Sequence, residues 1–450
     1  MNRNRILFSI LALTMSLSLG AQSFQESLFL NNYRLGFRYN PALTSGKSFL
    51  SVGEFSSYSA NNVGAGAFLF PTDDGKLLSG LHPDVSAEVF LGGLKDVNST
   101  QSHLNYSLFS FGFAAGGAFH TLEVSARGMY GASVPKDFFR LLKQGGEDVF
   151  SLADTRLQGR LFAELAYGYS RKIGDHLSLG ARAKLLLGLY AADYRYTRYD
   201  IAIADGTYQM DIESQLDLTS LTGKVDVDEG GYLNLLDWKA KDKWRLPSGA
   251  GLSVDLGLVW EPVEGLQVAA SLVDLGGLFW YYGNAGKSQG TATITGVQDM
   301  GLEDFDIYGV LNQVRLIGGA LLEPVALKSV PKRVAFGMLP FQVNAGVRYT
   351  MPFYKPLSLG VTGNYAAYEG LPYWDSRFAL AVNPLRWLDI TGNIGWSTYG
   401  LIWGAAAQVS IWRFRLHAGI QNGFGGTLPY KCTPLTANAK TLVFGLTYDI

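Results

Sequence analysis

The chain has 450 residues, a formal net charge of −1 and a charged fraction of 17%. A net charge this close to zero argues against a nucleic-acid partner, and a single cysteine, Cys432, excludes a disulfide framework within the chain. Soluble chains usually carry about 25% charged residues, whereas this one is rich in glycine and aromatic residues, with 54 Gly, 26 Phe, 24 Tyr and 9 Trp. Such a composition is typical of a β-barrel in a bilayer.

The N-terminus has the organisation of a secretory signal peptide. The basic start MNRNR precedes an apolar run over residues 6–19, and Gly20-Ala21 supplies small residues before a cleavage position. We therefore predict that residues 1–21 are a signal peptide. The run is too short to span a bilayer, and no later run reaches the roughly 18 apolar residues of a membrane helix. Any membrane contact is therefore expected from strands.

Residues 22–47 are predicted to form a plug inside a barrel that occupies residues 48–450. The segment is too irregular for a strand and too apolar for a linker, and it contains Asn40, Pro41 and Ala42 in succession. These three residues could gate a channel, or they could belong to a fixed structural plug.

The first third of the barrel contains predicted strands and one helix. Strands are predicted at residues 48–57, 62–70, 84–94, 104–115 and 118–130. Residues 135–144 read PKDFFRLLKQ, with proline first, Asp137 early and Lys143 late, and two glycines follow. This order predicts a short capped helix.

The clearest membrane strand follows a turn at Gly174. Leucine and alanine occupy every second position from Leu177 to Leu189, and Arg182 and Lys184 lie on the opposite face. A cation facing lipid at the bilayer midplane costs about 2–4 kcal/mol, so both cations are predicted to face a polar lumen. The lipid-facing residues are then predicted to be Leu179, Leu185 and Leu187.

A second clear hairpin covers residues 252–272, with Asp255 in its first strand. The alternation fails at Asp274, which would otherwise face lipid, and Gly276 and Gly277 follow. We predict a wall kink there that turns Asp274 inward. Asp255 and Asp274 are candidate ligand-binding residues of the lumen, or partners of luminal arginine and lysine. The kink could open the barrel wall or merely seat the segment that follows.

The remaining strands are more tentative in their ends than in their number. A hairpin is predicted over 194–215, a long loop over 217–247 and a partly helical stretch over 301–318. Later strands are predicted at 357–368, 377–383, 387–397, 401–411 and 442–450. The fold class is therefore all-β: a transmembrane antiparallel barrel of about 14 strands, with an N-terminal plug and a short helical insertion.

The sequence offers little sign of catalysis or metal binding. Asp226, Asp228 and Glu229 could hold calcium, but their spacing is not a complete loop motif and favours a solvated acidic loop. The five histidines have no spacing typical of a metal site. We therefore predict no metal site, no cofactor and no enzymatic activity.

Several motifs together carry a resemblance to a known family. Asn40-Pro41-Ala42 is similar to the N-terminal plug motif of FadL-like fatty-acid transporters. The paired Asp255-Leu256-Gly257 and Asp274-Leu275-Gly276, with Gly346-Val347-Arg348-Tyr349, resemble the PorV-like, FadL-superfamily outer-membrane proteins of the Bacteroidetes, most of which are of unknown function. The resemblance implies a barrel with a plugged lumen in the bacterial outer membrane, and it implies no particular substrate.

Three functions remain open at this stage. The FadL-like resemblance and the apolar plug favour a channel or transporter for small hydrophobic molecules. The PorV-like resemblance implies instead an accessory protein of secretion or surface assembly, without transport activity, whose partners are secreted surface proteins. A purely structural barrel is the third alternative. In each case the expected surroundings are a lipid bilayer.

Overall fold

The computed structural model describes residues 24–73, 76–240, 247–295, 325–367, 371–424 and 435–450. The predicted signal peptide, the stretch predicted as partly helical at 301–318 and Cys432 lie outside the described residues. Within the described ranges, none of the helices has the length and apolar character needed to cross a membrane.

Twenty-three strands and two α-helices occur among the described residues. The helices are α1, Ala87–Gly92, and α2, Lys136–Lys143. The strands are β1 Phe49–Asn61, β2 Leu69–Pro71, β3 Leu77–Ser79, β4 Val97–Ala115, β5 Ala118–Pro135, β6 Asp148–Ser151, β7 Arg156–Ile173, β8 Leu177–Ala204, β9 Thr207–Ser220, β10 Gly223–Val227, β11 Leu233–Ala240, β12 Gly249–Val263, β13 Leu266–Tyr282, β14 Asn284–Thr295, β15 Lys328–Val330, β16 Arg333–Met338, β17 Gln342–Thr350, β18 Leu357–Ala366, β19 Tyr373–Leu385, β20 Leu388–Ser397, β21 Gly400–Ile411, β22 Phe414–Gly423 and β23 Asn438–Asp449.

Fourteen of these strands close into one antiparallel barrel within the described part of the chain. The circuit runs β1, β4, β5, β7, β8, β12, β13, β17, β18, β19, β20, β21, β22 and β23. It closes where β23 pairs with β1, from Phe49 opposite Asp449 to Asn61 opposite Asn438. The predicted all-β fold with about 14 strands is confirmed, and so is the short helix predicted at 135–144, which is α2.

The two faces of the barrel wall differ in polarity as the alternation predicts. In β8, Leu179, Leu185 and Leu187 lie exposed on the outer face, whereas Arg182 and Lys184 are 4% and 3% exposed on the inner face. Successive side chains of a strand point to opposite faces, so one strand presents an apolar surface outward and a charged surface to the lumen.

The barrel has one plain rim and one elaborate rim. Tight turns at Gly116-Gly117, Gly174 and Gly265, all with positive φ, lie at the rim that also carries the first and last barrel residues, Phe49 and Asp449. At the opposite rim, β8 continues past the wall and pairs with β6 and β9, and β9 pairs with β14. This extension has its own apolar core, which includes Phe150, Ile201, Ile203, Met210 and Ile212.

Three sequence predictions at the elaborate rim are wrong. The strand predicted at 84–94 is helix α1, because Ser86 caps it by accepting a hydrogen bond from the Val89 N–H at 3.2 Å. The strand predicted at 62–70 is mostly a short 3₁₀ turn, Ala65–Ala67, before β2. The loop predicted at 217–247 contains the β10–β11 hairpin, whose strands pair with each other.

Candidate functional site

The N-terminal segment fills the lower lumen, next to the plain rim. Two 3₁₀ turns, Gln25–Leu28 and Gly36–Arg38, fold it into a compact body. Glycines of the wall make room for it: a Cβ on Gly346 would lie 2.6 Å from the Leu28 side chain. The buried apolar side chains of this body are Phe24, Leu28, Phe29, Leu30, Tyr33, Leu35, Phe37, Tyr39 and Ala42.

Asn40, Pro41 and Ala42 attach this plug to the β12–β13 hairpin. The Asn40 Nδ2 atom donates hydrogen bonds to the carbonyl oxygens of Leu258 and Ala270, at 2.9 and 3.0 Å. The Asn40 Oδ1 atom accepts a hydrogen bond from the Ala42 N–H at 2.9 Å. Asn40 is fully buried. Its amide therefore satisfies backbone groups of both the wall and the plug.

The four charged residues predicted for the lumen lie together above the plug. Lys184 Nζ lies 2.6 Å from Asp255 Oδ1 and 2.6 Å from Asp274 Oδ1, and Arg182 Nη1 lies 3.2 Å from Asp255 Oδ2. All four side chains are buried. They are bound to each other, which is the structural reading that the sequence left open beside ligand binding.

The cluster continues at both ends into further ion pairs. On one side Arg182 contacts Glu123 at 2.8 Å, and Glu123 in turn contacts Arg38 of the plug at 2.7 Å. On the other side Arg127 donates two hydrogen bonds to Asp274, at 2.8 and 2.7 Å, and contacts Glu164 at 3.1 Å. The plug is thus connected to the wall kink by a continuous series of buried charges.

The chain bends sharply at the predicted wall kink. Asp274 has φ of 63° and Gly276 has φ of 154°, and the register between β12 and β13 shifts opposite Asp255. The Asp274 N–H donates to Asp255 Oδ1 at 2.8 Å, so the bulge points the Asp274 backbone and carboxylate inward. A Cβ on Gly276 would lie 2.1 Å from the Leu252 carbonyl oxygen, which leaves space for glycine alone.

The partner of β13 changes at the same place. Below the kink β13 pairs with β17 as far as Val273 opposite Gln342, and above it with β16 from Gly277 opposite Met338. The ladder between β17 and β18 reaches Gln342 opposite Ala366 and goes no further in β17. The kink therefore coincides with a discontinuity in the wall.

A cavity of about 550 Å³ lies above the ion pairs and beside this discontinuity. Its lining includes inward-facing Gln101 and His103, and also Phe336, Met338 and Tyr365, whose side chains are exposed on the outer face. The cavity therefore extends from the lumen across the wall. Pockets of roughly 300–1,000 Å³ are typical of small-molecule sites.

Two further cavities flank it. One of about 460 Å³ shares Gln101, Arg156, Gln158 and Arg195 with the wall-crossing cavity and leads towards the elaborate rim. The other, between the plug and the ion pairs, has a volume of only about 90 Å³. The lumen is thus open above the ion pairs and nearly filled at the level of the plug.

The arginines of the wall-crossing cavity were not selected from the sequence. Arg156, Arg160 and Arg195 line it together with Asp193. Their signal was present in the alternation of β7, where Arg156, Gln158 and Arg160 occupy every second position. What the sequence lacked was the pairing of β7 with β8, which places Asp193 opposite Gln158 and between two of the arginines.

The acidic loop considered for calcium is part of the β10–β11 hairpin. Asp226 forms an ion pair with Lys239, and this hydrogen bond holds the pKa of Asp226 below its usual value. Asp228 Oδ1 accepts a hydrogen bond from the Tyr232 N–H at 2.8 Å. Across the described residues, no three His, Cys, Asp or Glu side chains gather into a metal-binding group.

Solved structures with a similar course of the chain are bacterial outer-membrane proteins of low sequence identity. A FadL homologue of Pseudomonas aeruginosa is 11% identical over 96% of this chain and 98% of its own, with a TM-score of 0.46. The toluene transporter TodX of Pseudomonas putida is 7% identical over 96% and 98%, with a TM-score of 0.44. The toluene transporter TbuX of Ralstonia pickettii is 9% identical over 97% and 98%, also with a TM-score of 0.44. Similarity at this level does not indicate a shared substrate.

A search among curated proteins finds no match. The sequence model of one family, described as a family of unknown function, DUF5723, matches residues 41–420. This match covers most of the barrel and part of the plug, and the chain therefore belongs to the DUF5723 family.

Proposed function

We propose that this protein is an outer-membrane channel that lets small hydrophobic molecules pass from the elaborate rim into the bilayer through its wall. The observation that carries the proposal is the wall-crossing cavity, which is lined by luminal residues such as His103 and by outer-face residues such as Phe336. The elaborate rim faces the cell exterior in this proposal, because outer-membrane barrels have short turns on the periplasmic side and longer connections outside.

The exit through the wall suits an apolar solute. At the discontinuity the cavity is bordered by Phe336, Met338, Phe341 and Tyr365, and an apolar molecule that leaves between such side chains exchanges one apolar environment for another. A polar solute would lose its hydration there, and burying a polar group without a hydrogen bond costs roughly 1–3 kcal/mol by protein mutational data.

The plug supports sideways rather than vertical passage. Below the ion pairs the remaining cavity is about 90 Å³, far smaller than the roughly 300 Å³ at the low end of ligand pockets. The plug is tied to the wall by the Arg38–Glu123 ion pair at 2.7 Å and by Asn40. A solute in the upper cavity therefore meets the wall opening before any route through the plug.

Uptake by cells tests the proposal. The protein is expressed in a bacterial host without hydrophobic channels of its own, and the uptake of radiolabelled toluene and decane is measured. Ala335→Trp places an indole in the cavity, whereas Val334→Trp, one residue earlier, points to the outer face, where Val334 is exposed. We expect uptake with the wild type and V334W and background uptake with A335W, at equal amounts of folded barrel. Uptake by A335W equal to that of V334W would contradict the route.

A second function is supported by the extension above the barrel. Strands β6, β9 and β14, with the upper part of β8, form a folded layer with its own apolar core, and a layer of this kind offers a surface for a protein partner. We propose as the alternative a PorV-like accessory role with secreted surface proteins as partners. Capture of such proteins from the culture medium by the wild type, with loss of capture when residues 205–206 are replaced by a bulky epitope, would favour this alternative over transport.

A further inference from the structure

We propose that the wall-crossing cavity contains a binding site for a phosphate group, in the corner formed by Trp280, Arg160 and Gly337. This inference rests on the proposed function and refines it by naming the polar end of the ligand. The ligand class is a phosphate monoester attached to an apolar group, whose apolar part extends towards Phe336 and Met338.

The first observation is an excess of positive charge. Arg156 holds Asp193 through two hydrogen bonds, at 2.9 and 2.7 Å, and Arg195 adds a third at 3.0 Å. Arg160 lines the same cavity and also attracts the Asp193 carboxylate electrostatically. Three guanidinium charges thus face one carboxylate, which leaves a formal excess of two positive charges.

The remaining arginine of the cavity does not change this balance. Arg333 Nη2 lies 3.2 Å from Asp217 Oδ2, so its charge is matched by a carboxylate of its own. His103 also lines the cavity and would add to the positive charge only if it were protonated. The excess therefore belongs to the group around Asp193.

The second observation is a buried donor that has no acceptor. Trp280 is 1% exposed, and its Nε1–H makes no hydrogen bond within the described part of the chain. A Cβ built on Gly337 would lie 3.1 Å from Trp280 Nε1 and 3.5 Å from Arg160 Cζ. Because Gly337 has no side chain, the indole N–H and the guanidinium border one unfilled corner, where an oxyanion could accept hydrogen bonds from both.

The chemistry of the corner favours phosphate over carboxylate. A phosphate monoester carries a charge of about −1.5 to −2 at neutral pH and three acceptor oxygens, which match the excess charge and allow contacts to the indole N–H and to more than one guanidinium. A carboxylate supplies one negative charge and would leave half of the excess unmatched. Arginine forks also bind phosphate through paired hydrogen bonds.

Binding to the purified full-length protein tests the site. Isothermal titration calorimetry in dodecyl maltoside compares phenyl phosphate with benzoate, which has the same ring and a carboxylate. We expect saturable binding of phenyl phosphate at least about tenfold tighter than that of benzoate, since one charge-assisted hydrogen bond corresponds to roughly that factor. Absence of saturable phenyl phosphate binding, or equal affinity for benzoate, would overturn the proposal.

Four variants connect the binding to the corner. Gly337→Ala fills it and Arg160→Gln removes its charge, and each should weaken phenyl phosphate binding at least about tenfold. Gly283→Ala is the matched control, because a Cβ there meets no atom within 4 Å, and it should bind like the wild type. Should the first two variants fail to fold, Trp280→Phe removes only the indole N–H and should still weaken binding severalfold. Binding unchanged in every folded variant of the corner would refute the assignment.

Two sources of the phosphate group are distinguished by two more ligands. Tighter binding of soluble dihexanoyl phosphatidic acid than of inorganic phosphate would identify a lipid headgroup, and the reverse order would identify a small phosphorylated solute; both orders support the site. The site and the channel can also fail separately. Toluene uptake that A335W blocks, without any phosphate binding, would overturn the site alone, whereas phosphate binding with uptake insensitive to A335W would overturn the channel alone.

Discussion

Asn40 of the plug occupies the space that a side chain on Gly257 of the wall would need. A Cβ on Gly257 would lie 2.0 Å from Asn40 Oδ1, well inside van der Waals contact. The neighbouring Gly180 has the same relation to Pro41, whose carbonyl carbon would lie 2.3 Å from a Cβ there. The seat of the Asn40-Pro41-Ala42 turn is therefore built from two wall glycines on adjacent strands, paired with each other.

Gly257→Ala should loosen the plug. The added methyl group must displace the Asn40 amide, which loses its hydrogen bonds to Leu258 and Ala270, and overpacking of this kind typically costs about 1–3 kcal/mol. Urea-induced unfolding in detergent measures the change. Gly363→Ala is the matched control on the same barrel, since its Cβ would meet only the Asp375 carbonyl oxygen at 3.7 Å. Equal unfolding midpoints for the two variants would show that the plug is not seated on Gly257.

Asp274→Asn should destabilise the barrel strongly. Asparagine keeps the shape and tolerates the positive φ of this position, but it removes the negative charge between Arg127 and Lys184. Breaking a buried ion pair from one side costs about 3–5 kcal/mol, because a buried charge is left without its partner. The free energy of unfolding in urea should fall by that order.

The control for this substitution is an exposed ion pair. Glu264 lies 3.4 Å from Lys355, and both side chains are largely exposed to solvent. Glu264→Gln should therefore change the free energy of unfolding by less than about 1 kcal/mol. A loss in Asp274→Asn no larger than that in Glu264→Gln would mean that the buried series of charges contributes no more than a surface pair.

Removal of residues 22–42 should open the lumen. The plug reduces the space below the ion pairs to a cavity of about 90 Å³, and its deletion removes the aromatic and aliphatic side chains that fill this part. In planar bilayers we expect steady ion conductance from the deletion variant and none from the wild type. A deletion variant that folds but does not conduct would show that the wall side chains alone close the lumen.

The sequence predicted which faces of the strands are polar but not which charges meet. The alternation in β8 places Arg182 and Lys184 inward because leucines flank them at every second position, and this follows from the geometry of a single strand. Their partners Asp255 and Asp274 come from strands 73 and 90 residues away in the chain. The register between strands decides such contacts, and a single strand does not contain that information.

The plug and the upper cavity show the same limit from two sides. Residues 22–47 were predicted to lie inside the barrel because they are apolar without alternation, yet the glycines that receive them, Gly180 and Gly257, were identified only in the folded chain. The wall kink was located from the broken alternation at Asp274, but its link to a cavity depends on the change of partner from β17 to β16. Both features require contacts between distant parts of the chain.

Neighbouring residues on β12 provide a test of the proposed membrane location. Leu252 is 67% exposed on the outer face, and Ser253 is 2% exposed on the inner face; they pair with Leu185 and Lys184 of β8. In a background with Cys432→Ser, the single cysteines Leu252→Cys and Ser253→Cys are introduced in turn. Cysteine is nearly isosteric with serine, and the Ser253 hydroxyl makes no hydrogen bond among the described residues, so S253C should fold like the wild type.

The labelling pattern expected from a membrane barrel differs sharply between these two positions. A maleimide dissolved in the lipid phase should react with the cysteine of Leu252→Cys and not with that of Ser253→Cys, in protein reconstituted into liposomes. Brominated lipids should likewise quench a fluorophore attached at position 252, since its side chain would lie against acyl chains at mid-wall. Reaction of position 252 with a water-soluble, membrane-impermeant maleimide at the rate of a free thiol would place this face of the barrel in water and contradict the membrane location.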